Sequence, residues 1–381
     1  MNPSLPTNRA DWHARLFPRG IPPLWCPLLT HYRDDGSLDH ARITAHLRHL
    51  APHVKGFLIP GSTGDGWEMS DSEIRELLGL AQEQTANLEV HLLIGVLKTE
   101  ASEATRVIRE TAAMVGRDSV EPHLERSEVS AASISGGDTP SQETRDARAS
   151  SVGKWGSTES HPTGLAGFTV CPPKGADLPQ QSIRDALAGI LELGFPTALY
   201  QLPQVTQNEM SPETLADLAA RFPNFILFKD TSGADRVANS GRDFSGVFLV
   251  RGAEGGYANW LKPGGGPYDG FLLSTANCFG RELHQLIELL GAGRRDEAQR
   301  LSDRLSAVVK EVFALVAGLS DGNAFANANK AMDHFFAHGP NAARVTQPRL
   351  HAGSRLPVEV IRQTGAALER NGFLPERGYL E

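Results

Sequence analysis

The chain contains the stretch Asn224-Phe225-Ile226-Leu227-Phe228-Lys229-Asp230-Thr231-Ser232-Gly233, in which four apolar residues lead to one lysine and turn-forming residues follow at once. This pattern predicts a buried strand that carries Lys229 at its carboxyl end. An amine enclosed by apolar walls loses part of its hydration and some of its basicity, and it then becomes a nucleophile toward carbonyl carbons. The alternative from this stretch alone is a lysine that ends a strand and points to solvent.

Similar short apolar runs alternate with amphipathic segments along most of the chain, which is typical of repeated βα units. Strands are predicted near Leu24–Leu29, Gly56–Pro60, Val90–Gly95, Gly167–Cys171, Thr197–Tyr200, Phe225–Lys229, Gly246–Arg251 and Gly270–Ser274. Helices are predicted at Asp39–Leu50, Asp71–Gln84, Ser102–Met114, Ser182–Leu193, Pro212–Arg221, Ala234–Ser240, Tyr257–Leu261 and Arg281–Leu290. Eight strands that are each followed by a helix predict an α/β protein with the fold of a (β/α)8 barrel, also called a TIM barrel.

After the eighth unit the pattern becomes wholly helical. Three helices are predicted at Arg295–Val316, Asn323–His338 and Glu359–Asn371. We therefore expect an N-terminal arm at residues 1–20, a barrel at residues 21–292 and a C-terminal three-helix extension at residues 293–381. The periodicity leaves open whether this extension packs on its own barrel or on a neighbouring molecule.

One segment, residues 117–163, interrupts the alternation of strands and helices. It is rich in Ser, Thr, Gly, Glu and Arg, and its large apolar residues are isolated. Such a composition buries too little apolar surface to offset the entropy of ordering, so the segment is predicted to be a disordered insertion in the barrel. It falls between a helix and the next strand, which is the amino-terminal face of a barrel, and its deletion is therefore expected to spare catalysis.

The composition narrows the range of partners and locations. The chain has 381 residues, a net charge of −8 and 40% hydrophobic residues, so neither nucleic acid nor an anionic membrane surface is an expected partner. The three cysteines are far apart and form no CxxC pair, which fits a reducing cytoplasm. The first residues lack the apolar core of a signal peptide, and no apolar run is long enough to span a bilayer. We therefore expect a soluble, cytoplasmic protein that binds a small molecule.

A glycine-rich segment and a tyrosine are further candidates for chemistry. Gly61-Ser62-Thr63-Gly64-Asp65-Gly66 follows the second predicted strand, and its hydroxyls and amides could converge on a carboxylate. A plain turn is the alternative, since the segment lacks the spacing of a phosphate site. Tyr200 ends the fifth predicted strand, so a barrel would bring it to the same mouth as Lys229. There a neighbouring ammonium would favour the phenolate and allow proton transfer, although packing with the hydroxyl at the surface is the alternative.

The chain resembles the dihydrodipicolinate synthase / N-acetylneuraminate lyase family of Schiff-base enzymes, which act on pyruvate or related 2-oxo acids. The resemblance covers residues 24–374 apart from the insertion, and it depends on the order and spacing of several motifs. These motifs are Thr30 with Asp34-Asp35-Gly36, Gly61-Ser62-Thr63-Gly64-Asp65, Gly95, Tyr200-x-x-Pro203, Lys229-Asp230-Thr231-Ser232-Gly233, Gly270 with Ser274-Thr275-Ala276-Asn277, Lys330, and Arg355-Leu356-Pro357.

The resemblance implies a role for each candidate residue. Lys229 would form an imine with the keto carbon, and Tyr200 would relay protons while a C–C bond is broken or formed. The substrate-binding residues that it implies are Gly61, Ser62, Thr63 and Leu272. Because the imine itself draws electrons from the keto carbon, neither a metal nor an organic cofactor is expected. The family also implies a homodimer or a homotetramer.

Two departures from the family pattern narrow the expected substrate. In the synthase branch an arginine two residues after the proline of Tyr-x-x-Pro binds the carboxylate of the aldehyde substrate. In this chain Val205 occupies that position. The tyrosine pair that follows strand four in that branch is replaced by Val170-Cys171-Pro172-Pro173-Lys174. The motifs at Gly61 and Lys229 are closer to the lyase and sugar-acid branches. We therefore expect a carbon–carbon or carbon–oxygen lyase, an aldolase or a dehydratase, that acts on pyruvate or a 2-oxo sugar acid.

Three alternatives to this lyase stay open. One is a non-catalytic 2-oxo acid-binding sensor or scaffold derived from the family, and another is dihydrodipicolinate synthase proper, which Val205 disfavours. The third is a different reaction on the same fold, since a fold does not determine function.

Several other side chains in the sequence are candidates for a binding, metal or catalytic site. Glu254, after the seventh predicted strand, is expected to contact the second substrate. His40, His46, His49 and His53 lie on or beside one predicted helix without the HExxH arrangement of a zinc site, so a solvated polar face is the expected structure. Cys171 is expected to pack in the interior.

Overall fold

The computed structural model describes residues 6–118 and 164–381. The predicted insertion, residues 117–163, lies outside the described residues except for its first two, which still belong to the helix before it. The expectation that it is disordered and dispensable for catalysis therefore stays a prediction. Within the described ranges no helix is long and apolar enough to cross a membrane.

Eight parallel strands pair in the order of the sequence, and the first also pairs with the last, so the sheet closes into a barrel. The strands are β1 (Leu24–Pro27), β2 (Gly56–Ile59), β3 (His91–Val96), β4 (Leu165–Val170), β5 (Thr197–Gln201), β6 (Phe225–Asp230), β7 (Phe248–Arg251) and β8 (Gly270–Leu272). The predicted TIM barrel is confirmed. Its strands read as continuous apolar runs because helices cover their outer face while side chains fill the inside.

Helices surround the barrel and continue beyond it. They are α1 (Arg9–Leu16), α2 (His40–Leu50), α3 (Asp71–Leu88), α4 (Ala101–Asp118), α5 (Gln180–Leu191), α6 (Pro203–Thr206), α7 (Pro212–Arg221), α8 (Ala276–Gly291), α9 (Arg295–Val316), α10 (Ala324–His338) and α11 (Val358–Arg370). Local sequence signals set several of their ends. In α3 the Ser70 hydroxyl accepts a hydrogen bond from the Glu73 amide while the Glu73 carboxylate accepts one from the Ser70 amide, which closes a capping box.

The predictions of α-helices at Ala234–Ser240 and Tyr257–Leu261 are wrong. The connections after β6 and β7, both described in full, contain only short 3-10 turns, at Ala238–Ser240, Tyr257–Asn259 and Lys262–Gly264. Asp235 has a left-handed φ of 52°, and its carboxylate accepts hydrogen bonds from Arg251 Nε at 2.9 Å and Nη2 at 3.0 Å. These tertiary contacts fix the loop after β6 in a conformation that a helix does not allow.

The amino-terminal half of the barrel is filled by apolar side chains, which we call the inner cluster. Its members are Trp12, Phe17, Trp25, Leu58, Leu93, Ala166, Ala198, Ile226, Leu227, Val250 and Leu272. The N-terminal arm closes this end, because Arg9 of α1 is buried and donates hydrogen bonds to the carbonyls of Phe225 and Ala219, both at 2.6 Å. The carboxyl-terminal end of the barrel, the mouth, is where polar side chains collect.

The C-terminal extension packs on its own barrel. Helix α10 contacts α8 and the 3-10 turn at Ser62–Gly64, directly after β2. Asn323, which caps α10, donates from Nδ2 to the Ser62 carbonyl at 3.1 Å. The extension therefore helps to fix one of the segments that surround the mouth.

Candidate active site

Lys229 lies at the mouth of the barrel, near the end of β6. It follows Leu227 of the inner cluster by two residues, so its side chain points into the barrel. Only 4% of the residue is exposed, and the alternative of a solvent-facing lysine is therefore wrong. Burial lowers the pKa of the amine to about 7 because the charged form loses its hydration. A large fraction of Lys229 is thus an uncharged nucleophile at neutral pH.

Tyr200 pairs with Lys229 in the register of β5 and β6. The Lys229 Nζ atom lies 4.0 Å from the centroid of the Tyr200 ring. Burial raises the pKa of this phenol, and the hydroxyls of Ser62 and Thr231 only partly oppose that effect. The expectation that a neighbouring ammonium favours the phenolate is therefore wrong. Tyr200 is a neutral phenol, which can still pass a proton by accepting one while it donates another.

Gly252, the residue after β7, makes room for the Lys229 side chain. A Cβ atom at this position would lie 2.9 Å from Lys229 Cε and 2.2 Å from Thr231 Oγ1. Both distances are shorter than van der Waals contact, so any side chain would displace the amine or the hydroxyl. This role could not be predicted from the sequence, because it arises from the pairing of β6 with β7.

If Lys229 forms the imine that the sequence predicts, Gly252→Ala should slow that reaction by about tenfold or more, since small errors in the placement of reacting groups reduce rates strongly. The measurement is the rate at which borohydride fixes pyruvate on the protein. Gly189→Ala is the matched control, because a Cβ atom there meets nothing within 4 Å. Equal trapping rates in the two variants would contradict the proposed close packing around Lys229.

The segment after β2 forms a compact turn with free hydrogen-bond donors. Ser62 accepts a hydrogen bond from Trp67 Nε1 at 2.8 Å, whereas the amide and the hydroxyl of Thr63 have no partner among the described residues. Gly61 lies against β1, where a Cβ atom would come within 2.7 Å of Pro27 Cβ. Thr231 offers a buried hydroxyl that lies beside Tyr200. These groups can bind the carboxylate of a substrate held at Lys229.

A buried ion pair connects the turn after β2 to helix α10. Lys330 of α10 lies 2.5 Å from the Asp65 carboxylate, and both residues are almost fully buried. The hydroxyl of Tyr32 donates to the same carboxylate at 3.1 Å. Lys330 and Asp65 belong to motifs that carry the family resemblance, and their pairing explains why both positions are charged.

A second buried network supports the strand that carries Lys229 from outside the barrel. Asp235 accepts hydrogen bonds from Arg251 and, at 2.6 Å, from the Tyr268 hydroxyl. The Tyr268 hydroxyl also lies 3.3 Å from the Asp230 carboxylate, and Asp230 accepts a hydrogen bond from the Ser232 amide at 2.9 Å. Sequence reasoning missed this network. The signal that could have revealed it is Arg251, a charged residue within a strand that was predicted to be buried.

Glu254 and Leu272 are the two other residues that the sequence predicts to contact substrate. Glu254 accepts four hydrogen bonds, from the hydroxyls of Ser274, Thr275 and Tyr257 and from the Thr275 amide. Its carboxylate therefore ties the loop after β7 to the end of β8, and its contact with a second substrate stays a prediction. Leu272 is fully buried within the inner cluster, and its contact with substrate also stays a prediction.

The prediction of a solvated histidine face is wrong for His46, which is fully buried. His31, His46 and Asp333 place one ligand atom each within 4.8 Å of one another, a grouping that could hold a metal ion. The Asp333 carboxylate, however, already accepts a hydrogen bond from Arg42 Nη2 at 3.0 Å and another from Tyr379 at 3.0 Å. A guanidinium at this distance already balances the carboxylate, so a hydrogen-bonded network explains the cluster without a metal.

Known proteins resemble this chain in sequence. The model of the dihydrodipicolinate synthetase family matches residues 154–320. The 4-hydroxy-tetrahydrodipicolinate synthase of Azoarcus sp. (strain BH72) is 27% identical over 291 residues, which are 75% of this chain and 81% of that protein.

Crystal structures resemble it in fold. Dihydrodipicolinate synthase from Cyanidioschyzon merolae, with lysine bound, has a TM-score of 0.64 and 19% identity, and covers 92% of this chain and 98% of its own. A variant of the 2-keto-3-deoxygluconate aldolase of Sulfolobus solfataricus has a TM-score of 0.62 and 14% identity. The match covers 92% of this chain and 96% of the aldolase chain. At these identities the two structures establish the fold alone.

Proposed function

We propose that this chain, which is similar in sequence to the dihydrodipicolinate synthetase family over residues 154–320, is a Schiff-base-forming lyase that acts on pyruvate or a related 2-oxo acid. The observation that carries the proposal is a lysine that is 4% exposed and has a pKa of about 7, placed at the barrel mouth against a tyrosine ring. An uncharged amine in an apolar surrounding is the form that attacks a ketone.

The first half of the proposed reaction joins substrate to enzyme. The Lys229 amine attacks the keto carbon, and the carbinolamine takes up a proton from solvent and loses water to give a protonated imine. The substrate carboxylate would meanwhile accept hydrogen bonds from the Thr63 amide and hydroxyl, which have no other partner among the described residues. The buried hydroxyl of Thr231, which lies beside Tyr200, supplies a further donor.

The second half breaks a carbon–carbon bond. In a 4-hydroxy-2-oxo acid the Tyr200 oxygen accepts the proton of the C4 hydroxyl while the phenol passes its own proton on to solvent. The C3–C4 bond then breaks, and its electrons move toward the imine nitrogen to leave an enamine. C4 departs as an aldehyde. The enamine then takes a proton at C3, and hydrolysis releases pyruvate and the free Lys229 amine. Condensation is the same sequence in reverse, so the proposal covers either direction.

Dihydrodipicolinate synthesis itself is disfavoured by the residue at the rim of the mouth. Val205 is partly buried and packs against an apolar cluster that contains Tyr200. A semialdehyde carboxylate that is buried in this site would need a positively charged partner. A valine at this position cannot provide one. We therefore propose an aldolase or dehydratase with a different second substrate.

Borohydride trapping tests the proposal directly. Pyruvate and reductant should add the mass of a reduced pyruvate imine to the peptide that contains Lys229. An unmodified peptide after incubation with several 2-oxo acids would overturn the proposal. A modified peptide without turnover of any 2-oxo sugar acid or aldol product would point to the non-catalytic sensor or scaffold instead.

The acid limb of imine formation should report the lowered pKa of Lys229. Only the neutral amine attacks the ketone, so the rate should be half-maximal near pH 7 and fall about tenfold per pH unit well below it. The measurement mixes the protein with pyruvate at each pH for a fixed short time and then quenches with borohydride. A rate that keeps rising steeply above pH 9 would contradict the lowered pKa.

The homodimer or homotetramer stays a prediction. Light scattering coupled to size-exclusion chromatography measures the mass of the assembly against the 41.1 kDa of one chain.

A further inference from the structure

One side of the mouth is a continuous apolar surface, which we call the apolar wall. Its residues are Trp67, Leu97, Cys171, Leu202 and Val205, and they pack together with Tyr200. Leu97 follows β3, Cys171 follows β4 and Leu202 follows β5, so the wall is made by the ends of three neighbouring strands. It forms a cluster separate from the inner cluster and from the core under the helices.

The apolar wall is partly exposed to solvent. Leu97, Cys171 and Leu202 are buried, whereas Trp67 and Val205 are only partly buried. An apolar surface that is partly exposed next to the reacting atoms gains free energy when an apolar group covers it. Trp67 is held in place, because its indole nitrogen donates to the Ser62 hydroxyl. The surface is therefore formed before any ligand arrives.

The charged groups near the wall are already paired or lie outside it. Lys98, next to Leu97, lies 3.5 Å from Glu103 and 3.9 Å from Asp71. Lys174, after β4, is exposed and is not part of the wall. No charged side chain among the described residues belongs to this wall. A carboxylate or a sugar hydroxyl placed against it would therefore lose water without a hydrogen-bond partner from the wall itself.

We propose that the group beyond C3 of the 2-oxo acid is apolar, so that the enzyme releases or adds an aromatic or branched aliphatic aldehyde rather than a polyol or an anionic one. This inference rests on the proposed Schiff-base function and narrows its substrate class. When the C3–C4 bond breaks, the C4 fragment leaves as an aldehyde whose substituent has been held against the apolar wall.

A competition between a 2-oxo acid with an apolar substituent and one with a polar substituent tests this inference. The experiment measures imine formation and does not require turnover. The protein is incubated with 2-oxo-4-phenylbutanoate together with 2-oxoglutarate, or together with 2-keto-3-deoxygluconate, and borohydride then fixes the imines. Mass spectrometry of the Lys229 peptide gives the ratio of adducts, which is divided by the ratio on N-acetyl-lysine to remove differences in intrinsic reactivity. We expect the phenyl compound to be favoured by about tenfold or more, as for other apolar pockets.

A charge placed in the wall should reverse the preference. Val205→Arg is expected to move the ratio toward 2-oxoglutarate by about tenfold, since a guanidinium pairs with its distal carboxylate. Val358→Arg is the matched control, because that valine is 61% exposed and lies outside the wall; it should leave the ratio unchanged. Thermal melting of both variants verifies that they fold.

The outcomes separate this inference from the proposed function. A corrected ratio near or below one in the wild type, with pyruvate still trapped on Lys229, overturns the apolar substrate and leaves the Schiff base intact. Failure to trap even pyruvate overturns the Schiff-base function, and the inference falls with it. A preference for the phenyl compound that Val205→Arg lowers and Val358→Arg does not supports the apolar wall as the specificity determinant.

Discussion

Lys229→Ala is expected to abolish both the pyruvate adduct and turnover, with a loss of at least about four orders of magnitude in kcat/KM. The expectation follows from the position of the amine, which is buried against Tyr200 and is the only group proposed to bond covalently to substrate. The fold should survive, because alanine removes a buried amine whose desolvation disfavours its charged form. Adduct mass and steady-state rates measure the two effects separately.

Lys310→Ala is the matched control, since Lys310 lies on α9 and is exposed. It should form the adduct and turn over substrate like the wild type. If Lys229→Ala lost the adduct and kept its activity, the barrel would catalyse a reaction that does not pass through the imine. If it kept the adduct, another lysine would be the imine former and the assignment would be wrong.

The barrel could be predicted from the sequence because each strand is a short apolar run that is buried on both faces. The same kind of run made Lys229 a candidate, but only its order among the other motifs, with Tyr200 and the segment at Gly61, favoured an imine-forming lysine over a solvent-facing one. The helices predicted after β6 and β7 failed because tertiary contacts outweigh local propensity there. Asp235 reaches Arg251 and Tyr268, and those bonds fix a loop whose sequence alone suggests a helix.

The support around the candidate site could not be predicted, because it depends on which strands lie side by side and in what register. The register places Lys229 beside Val250, and only this pairing brings Gly252 against the lysine side chain. The partner of Asp65 is more distant still, since Lys330 lies in α10. Periodicity predicts that helix but not the strand end on which it packs.

Tyr200→Phe is expected to lower turnover by roughly two to four orders of magnitude while the amount of pyruvate trapped on Lys229 changes far less. The reason is that phenylalanine keeps the ring that packs 4.0 Å from the amine and so keeps the burial that lowers the lysine pKa. Only the hydroxyl is lost, and the C4 hydroxyl proton of the substrate then has no acceptor at that position. Steady-state rates and adduct yield, measured on the same preparation, give the two numbers.

Tyr379→Phe removes the same atom from another tyrosine, one that is partly buried and donates to Asp333 at 3.0 Å. It should lower stability through the lost hydrogen bond without a comparable fall in turnover. If Tyr200→Phe kept more than about a tenth of the wild-type rate, the phenol would not be the proton relay. If trapping fell as far as turnover, Tyr200 would serve imine formation rather than the carbon–carbon step. The split between the two measurements is therefore what assigns the proton transfer to this hydroxyl.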